Sequence, residues 1–265
     1  STNRAPAIDA VTPTMTAFAD VVYSESKNTF EAHPVPDYFL VPWKAGIPDS
    51  MRANADFEAD PAGQSVIIAG RFMQGGPCTT ERKGTLLNLA TGLEGSNFGL
   101  DWKFYVNYGE SKVTNKDSNY FDANKWSVAT ASGLLNPTVM TNDPAFVESL
   151  KVNPVREGKS TLTSANLQAG GEAFNLPAGP VLYAVGGSFW REELKDTPDE
   201  LTQQGLVVGS IAQSAVDASR NVYALFGELA IPVVKNVEAS VAARYDHYEN
   251  ESKVSPKVGL KWNAT

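Results

Sequence analysis

The chain has 265 residues, 42% of them hydrophobic, with a net charge of −8 and a pI near 4.9. That composition belongs to a folded chain rather than a disordered one, with room for one large domain or two small ones. The acidic balance argues against nucleic acid, which calls for basic faces. The single Cys78 excludes an internal disulfide and a thiolate metal cluster, and His33 and His247 are the only histidines, so no metal site and no cofactor are expected. No run of about 18 apolar residues is present, so no ordinary transmembrane helix is expected; a membrane barrel, in which only every second residue meets lipid, is untouched by that argument. Ser1-Thr2-Asn3-Arg4 carries no apolar signal-peptide core, as expected of a mature chain or a fragment.

Segment 15–31 alternates, with Ala17, Ala19, Val21 and Tyr23 on one side and Asp20, Ser24 and Ser26 on the other, which predicts a strand. Segment 32–63 is punctuated by Pro34, Pro36, Pro42, Gly46, Pro48, Pro61 and Gly63 and predicts a long loop. Gln64 to Met73 is expected to be a strand pairing with the next strand across Gly75-Gly76-Pro77. Strands are then predicted at 79–94 and 99–114, joined by a turn at Gly95-Ser96-Asn97. In the second, Trp102, Phe104, Val106 and Tyr108 oppose Asp101, Lys103 and Asn107.

The period breaks at 115–157. There Asp143 as an N-cap with Pro144 at the first helical position predicts a short helix through Leu150. Alternation resumes at 160–175 and 180–194, around Leu176-Pro177-Ala178-Gly179. After a polar stretch it returns at 219–232, 237–249 and 254–263. In these last strands Tyr223, Leu225, Leu229, Val241, Leu260 and Trp262 share a side, opposed by Glu228, Arg244 and Lys261, and Gln168 is expected on that polar side too.

Short turns at 95–98, 176–179 and 234–236 alternate with long excursions at 32–78, 115–157 and 195–218. Strand direction reverses at each connection, so the short turns belong at one end and the long loops at the other. Long alternating strands with this asymmetry predict an all-β, antiparallel up-and-down meander that is part of a transmembrane β-barrel. A soluble β-sandwich has no reason to separate its connections this way.

Asn175-Leu176-Pro177-Ala178-Gly179-Pro180, Phe189-Trp190-Arg191-Glu192-Glu193 and the run from Ser219 to Pro232 resemble consecutive blocks of TonB-dependent outer-membrane receptors. So do Ala243-Arg244-Tyr245-Asp246-His247-Tyr248 and Ser255-Pro256-Lys257-Val258-Gly259-Leu260-Lys261-Trp262, in the same order. Residues 15–114 resemble the preceding strands. The resemblance is to a middle slice of the barrel, without the plug domain or the closing strands. It implies active uptake of siderophore-iron, cobalamin or oligosaccharide across the outer membrane. The partners implied are the TonB energy complex, acting through the plug, and outer-membrane lipid.

The functional lead in the residues themselves is aromatic. Tyr38, Phe39 and Trp43 mark the first long loop; Tyr120, Phe121 and Trp126, with Lys125 alongside, mark the second. Aromatic faces near cations suit aromatic or sugar ligands, so Trp43, Tyr120 and Trp126 are the candidate ligand contacts, against the alternative that they pack the loops together. Trp102, Tyr105, Tyr108, Tyr183, Phe189, Tyr223, Tyr245, Tyr248 and Trp262 read as wall and girdle residues. Arg191-Glu192-Glu193 and Asp196 read as a solvated rim cluster rather than a glycosidase carboxylate pair. No nucleophile elbow is present, and no enzyme is expected. The rival reading is a soluble β-sandwich that holds carbohydrate with its aromatic loops.

Overall fold

Alternation sustained over some twenty residues yields strands of that length. The computed structural model describes residues 2–4, 14–42, 65–97 and 99–264. In chain order these form β1 (Thr2–Arg4), β2 (Met15–Ala32), β3 (Pro36–Pro42), β4 (Ser65–Arg71), β5 (Cys78–Asn97), β6 (Leu100–Ser118) and β7 (Tyr120–Phe121). Helices α1 (Ala123–Ala131) and α2 (Pro144–Ser149) come next, then β8 (Lys151–Val152), β9 (Val155–Leu176) and β10 (Gly179–Pro198). The short α3 (Glu200–Gln203) leads to β11 (Val216–Val234), β12 (Val237–Tyr248) and β13 (Ser252–Trp262).

Among the described residues the main sheet has nine strands in the order β1-β2-β5-β6-β9-β10-β11-β12-β13. Every pairing is antiparallel, and no strand is inserted out of sequence. This is the expected up-and-down meander, and it is not closed: β1 and β13 form its two edges among the described residues. All the strands predicted in the main sheet are present, most of them longer than their clean alternation.

Two expectations change. β4 pairs with β3, from Pro36 opposite Arg71 to Pro42 opposite Ser65, and not with β5. Between β4 and β5 the chain instead makes a single 3-10 turn, Met73–Gly75. The other change concerns 115–157, where β6 continues to Ser118 and α1 forms behind it. Asp122 caps α1, accepting from the backbone N–H groups of Asn124 and Lys125 at 2.9 and 3.1 Å. α2 forms as expected: Pro144 occupies its first turn and the Asp143 carboxylate accepts from Ala145 N–H at 2.9 Å.

The turns after β5, β9 and β11 lie at one end of the sheet, and the excursions that join β2 to β5, β6 to β9 and β10 to β11 leave from the other. The hairpin 249–251 also emerges at the excursion end although it is short, with Tyr248 N–H donating to the Glu251 carbonyl at 2.7 Å. That end therefore carries one tight connection, a departure from strict alternation of loop length.

Candidate functional site: two faces of one wall and a loop cap

Cross-strand register fixes which side chains share a face, because opposed residues point the same way and neighbours along a strand point oppositely. One such row runs Ala17, Leu93, Phe104, Leu167, Gly187, Leu225, Tyr245 and Val254 across eight strands. Another runs Tyr183, Leu229, Val241, Val258. These side chains are not covered: Leu225 is 64% exposed and Val241 48%. Among the described residues no second sheet packs against them, which is what a sandwich would require. A continuous apolar band on one face of a single-layer sheet calls for an apolar phase outside it.

Toward the excursion end the same face changes character. Tyr23 and Tyr108 donate their hydroxyls to Glu25 and Glu110, at 3.0 and 2.7 Å. Beyond them come ion pairs: Lys83 with Glu25, Lys27 with Glu81, Lys112 and Lys159 both with Glu110, and Lys195 with Asp217. Strands of 18 to 22 residues, in β2, β5, β6, β9, β10 and β11, supply this extra height. About 9–11 tilted residues suffice to cross a bilayer.

The opposite face is polar, as predicted for Lys103, Asn107, Gln168, Glu228, Arg244 and Lys261. One row reads Asp20, Ala90, Asn107, Ser164, Trp190, Val222, Tyr248. Asn107 and Asn166 both donate to the Ser164 hydroxyl, at 3.2 and 3.3 Å. Lys103 pairs with Glu94 at 2.8 Å and lies 4.7 Å from the Phe18 ring centre. Arg244 pairs with Asp246 at 2.9 Å. Phe18 and Tyr105 crowd Gly92, and Phe226 lies over Gly186 so closely that any side chain at either glycine would collide. Those glycines let aromatic rings lie flat on the wall.

Two residues read from sequence as wall and girdle belong on this polar face: Tyr105, opposite Gly92 and Asn166, and Tyr248, opposite Val222. Sequence reasoning also passed over Trp190 as a polar-face aromatic. It stands in the same row as Tyr248, with Val222 between them, and Arg220, paired with Glu192, lies 5.9 Å above the Tyr248 ring. Parity alone locates Trp190, because Tyr183, Val185 and Phe189 occupy the other face of β10. The charged run 191–196 is likewise split by parity. Arg191 pairs with Glu193 on the apolar-band side, whereas Glu192 pairs with Arg220, and Asp196 with Arg156, on the polar side.

The three excursions merge into one cap with its own apolar core: Val35, Phe72, Cys78, Phe121, Trp126, Ala129, Leu135, Val147, Leu150 and Val208. Phe72, Phe121 and Trp126 form an aromatic triad with ring centres 5.0–5.4 Å apart. Backbone bonds stitch the third excursion to the second, Val208 N–H to the Phe121 carbonyl at 3.0 Å and Ala123 N–H to the Leu206 carbonyl at 2.9 Å. Asn142 and Gln74 exchange three hydrogen bonds of 2.7–3.1 Å between the second and first excursions.

Of the candidate contacts, Trp126 is 4% exposed and occupies the centre of this core, so its ring packs loops together. Tyr120 is half-buried at the edge of the core, where burial raises its hydroxyl pKa above the ordinary value. Trp43 lies outside the described residues. Burial also raises the Cys78 thiol, which keeps it protonated and unreactive at neutral pH.

A family model described as TonB dependent receptor-like, beta-barrel, matches residues 21–265. No curated protein matches the chain.

Proposed function

Because the chain belongs to the TonB-dependent receptor β-barrel family, we propose that it forms part of the wall and external mouth of an outer-membrane receptor that takes up one scarce nutrient. The nutrient is of the siderophore-iron, cobalamin or oligosaccharide class, and uptake is energised through TonB. The observation that carries this reading is the division of one sheet into an uncovered apolar band and a polar face studded with paired charges. The apolar band meets lipid and the polar face lines the lumen. The cap stands outside the membrane as the vestibule.

On the polar face of the wall, Trp190, Arg220 and Tyr248 are the luminal contacts we assign to passing ligand. Tyr120, at the edge of the cap core, and Trp43 remain candidates. An aromatic face flanked by a cation holds planar or sugar-like groups, each such contact worth about 0.5–1.5 kcal/mol. Uptake should therefore disappear both when the receptor is deleted and when TonB is deleted. Uptake that persists without TonB would refute the proposal. Trp190→Ala should raise the nutrient concentration for half-maximal uptake roughly 2- to 10-fold, with receptor assembly unchanged.

A further inference from the structure

A cleft of about 340 Å³ opens on the polar face across β2, β5 and β6, toward the excursion end. Gly84 forms its floor: a Cβ added there would meet the Ser26 hydroxyl at 3.0 Å and the Lys112 carbonyl oxygen at 4.0 Å. Arg82 stands one row nearer the cap, directly opposite Asn28 and Asn115. Phe30, diagonal to Arg82, and Leu86, beyond Gly84, bring apolar surface to the two ends, 53% and 44% exposed.

Charge sets Arg82 apart. Between β2 and β12 the other cationic side chains of this face are each paired: Lys103 with Glu94, Arg156 with Asp196, Arg220 with Glu192 and Arg244 with Asp246. Among the described residues Arg82 has no carboxylate partner. Asp117, one row nearer the cap on the same face, accepts instead from the Thr80 hydroxyl at 2.5 Å. No acid lines the cleft. Ser24, Ser26, Asn28 and Ser111 do line it, and among the described residues their side chains make no hydrogen bond. The cleft therefore offers several donors, one unbalanced positive charge and two apolar contacts.

A guanidinium fork matches the two oxygens of a carboxylate. One cation also balances one carboxylate, whereas a phosphate monoester brings a charge of about −1.5 to −2. We propose that this cleft is a subsite for a carboxylate borne on a flat apolar body, an aryl carboxylate group of the nutrient. Arg82 holds the carboxylate, and the ring lies over Gly84 between Phe30 and Leu86. The serine hydroxyls and Asn28 bond to polar substituents along it. The proposal rests on the luminal placement given under Proposed function and narrows the nutrient to one that carries such a group.

The test uses the detergent-purified receptor, with 4-fluorobenzoate as the probe and 4-fluorobenzamide, of similar shape but neutral, as the control. Fluorine NMR titration reads both affinities. Wild type should bind the carboxylate roughly 10-fold more tightly than the amide. Arg82→Gln should abolish that preference, and Arg82→Lys should restore part of it. Gly84→Val, which fills the floor with a residue suited to a strand, should weaken binding of both compounds. Lys257→Gln removes a cation elsewhere on the same face, opposite Ala242, and should change nothing. Equal binding of the two compounds by wild type, binding of neither, or an undiminished preference in Arg82→Gln would overturn the proposal. Unchanged binding in Gly84→Val would overturn it as well. Uptake that persists without TonB, with the carboxylate preference intact, would instead overturn the transport reading alone.

Discussion

The cap and the wall dispose of their apolar residues in opposite ways. In the cap, Phe72, Phe121 and Trp126 turn inward on one another, leaving Phe72 and Phe121 with no exposed surface. In the wall, Leu225, Val241, Val258 and Leu260 turn outward and are left bare. The cap obeys the rules of a small soluble core; the wall obeys those of a surface whose solvent is lipid. On the membrane placement proposed above, one chain contains both because the strands continue past the apolar band and deliver the excursions to an aqueous compartment, where they must bury each other to be ordered.

The largest expected effect removes the cap's centre. Trp126→Ala deletes a fully packed indole and leaves a cavity, which should cost about 3–5 kcal/mol of local cap stability. Hydrogen exchange in the assembled receptor should show faster exchange across 119–154 with the wall strands still protected. Equal acceleration in β11 and β12 would mean that cap and wall form one cooperative unit, and the comparison would fail.

Next in size is a charge on the wall's bare face. Val241→Arg should cost roughly 2–4 kcal/mol if that position lies near the bilayer midplane. Reversible unfolding in lipid vesicles measures it, and a neutral result would remove lipid from that face. The smallest effect belongs to the other face: Arg244→Ala breaks a half-exposed pair with Asp246 and should change stability by less than about 1 kcal/mol. The ratio between positions 241 and 244 therefore measures how sharply the wall separates its two environments.

The main-sheet strands were legible because their period is local. Each residue announces its face through its neighbours two positions away, and register then carries the pattern across the sheet. α2 was legible for a similar reason, since Asp143 and Pro144 state its start within two residues. α1 was not, because a nine-residue helix gains little from its own sequence and is held by Trp126 and Ala129 entering the cap core. The partner of β4 was hidden by distance: β3 lies on the far side of residues 43–64. Trp126 carried the same ambiguity as any aromatic in a long loop, and only the surrounding core shows that its ring faces inward. Trp190 and Tyr248 were readable by parity, but β10 and β12 alternate aromatics on both faces, and composition alone blurred them together.

The cap's tertiary stitching also sets an order of events. Among the described residues every pairing in the main sheet joins strands that are consecutive within it, so the meander can be built one strand at a time. Val35, Phe72, Trp126 and Val208 meet in one cluster although most of the chain separates the first from the last. Their encounter becomes entropically accessible once β2, β5, β6, β9 and β10 are aligned and have brought the excursion roots together. The cap is therefore expected to form late, as the joint product of strand pairs that have already assembled, and pulse-labelling hydrogen exchange during refolding checks that order.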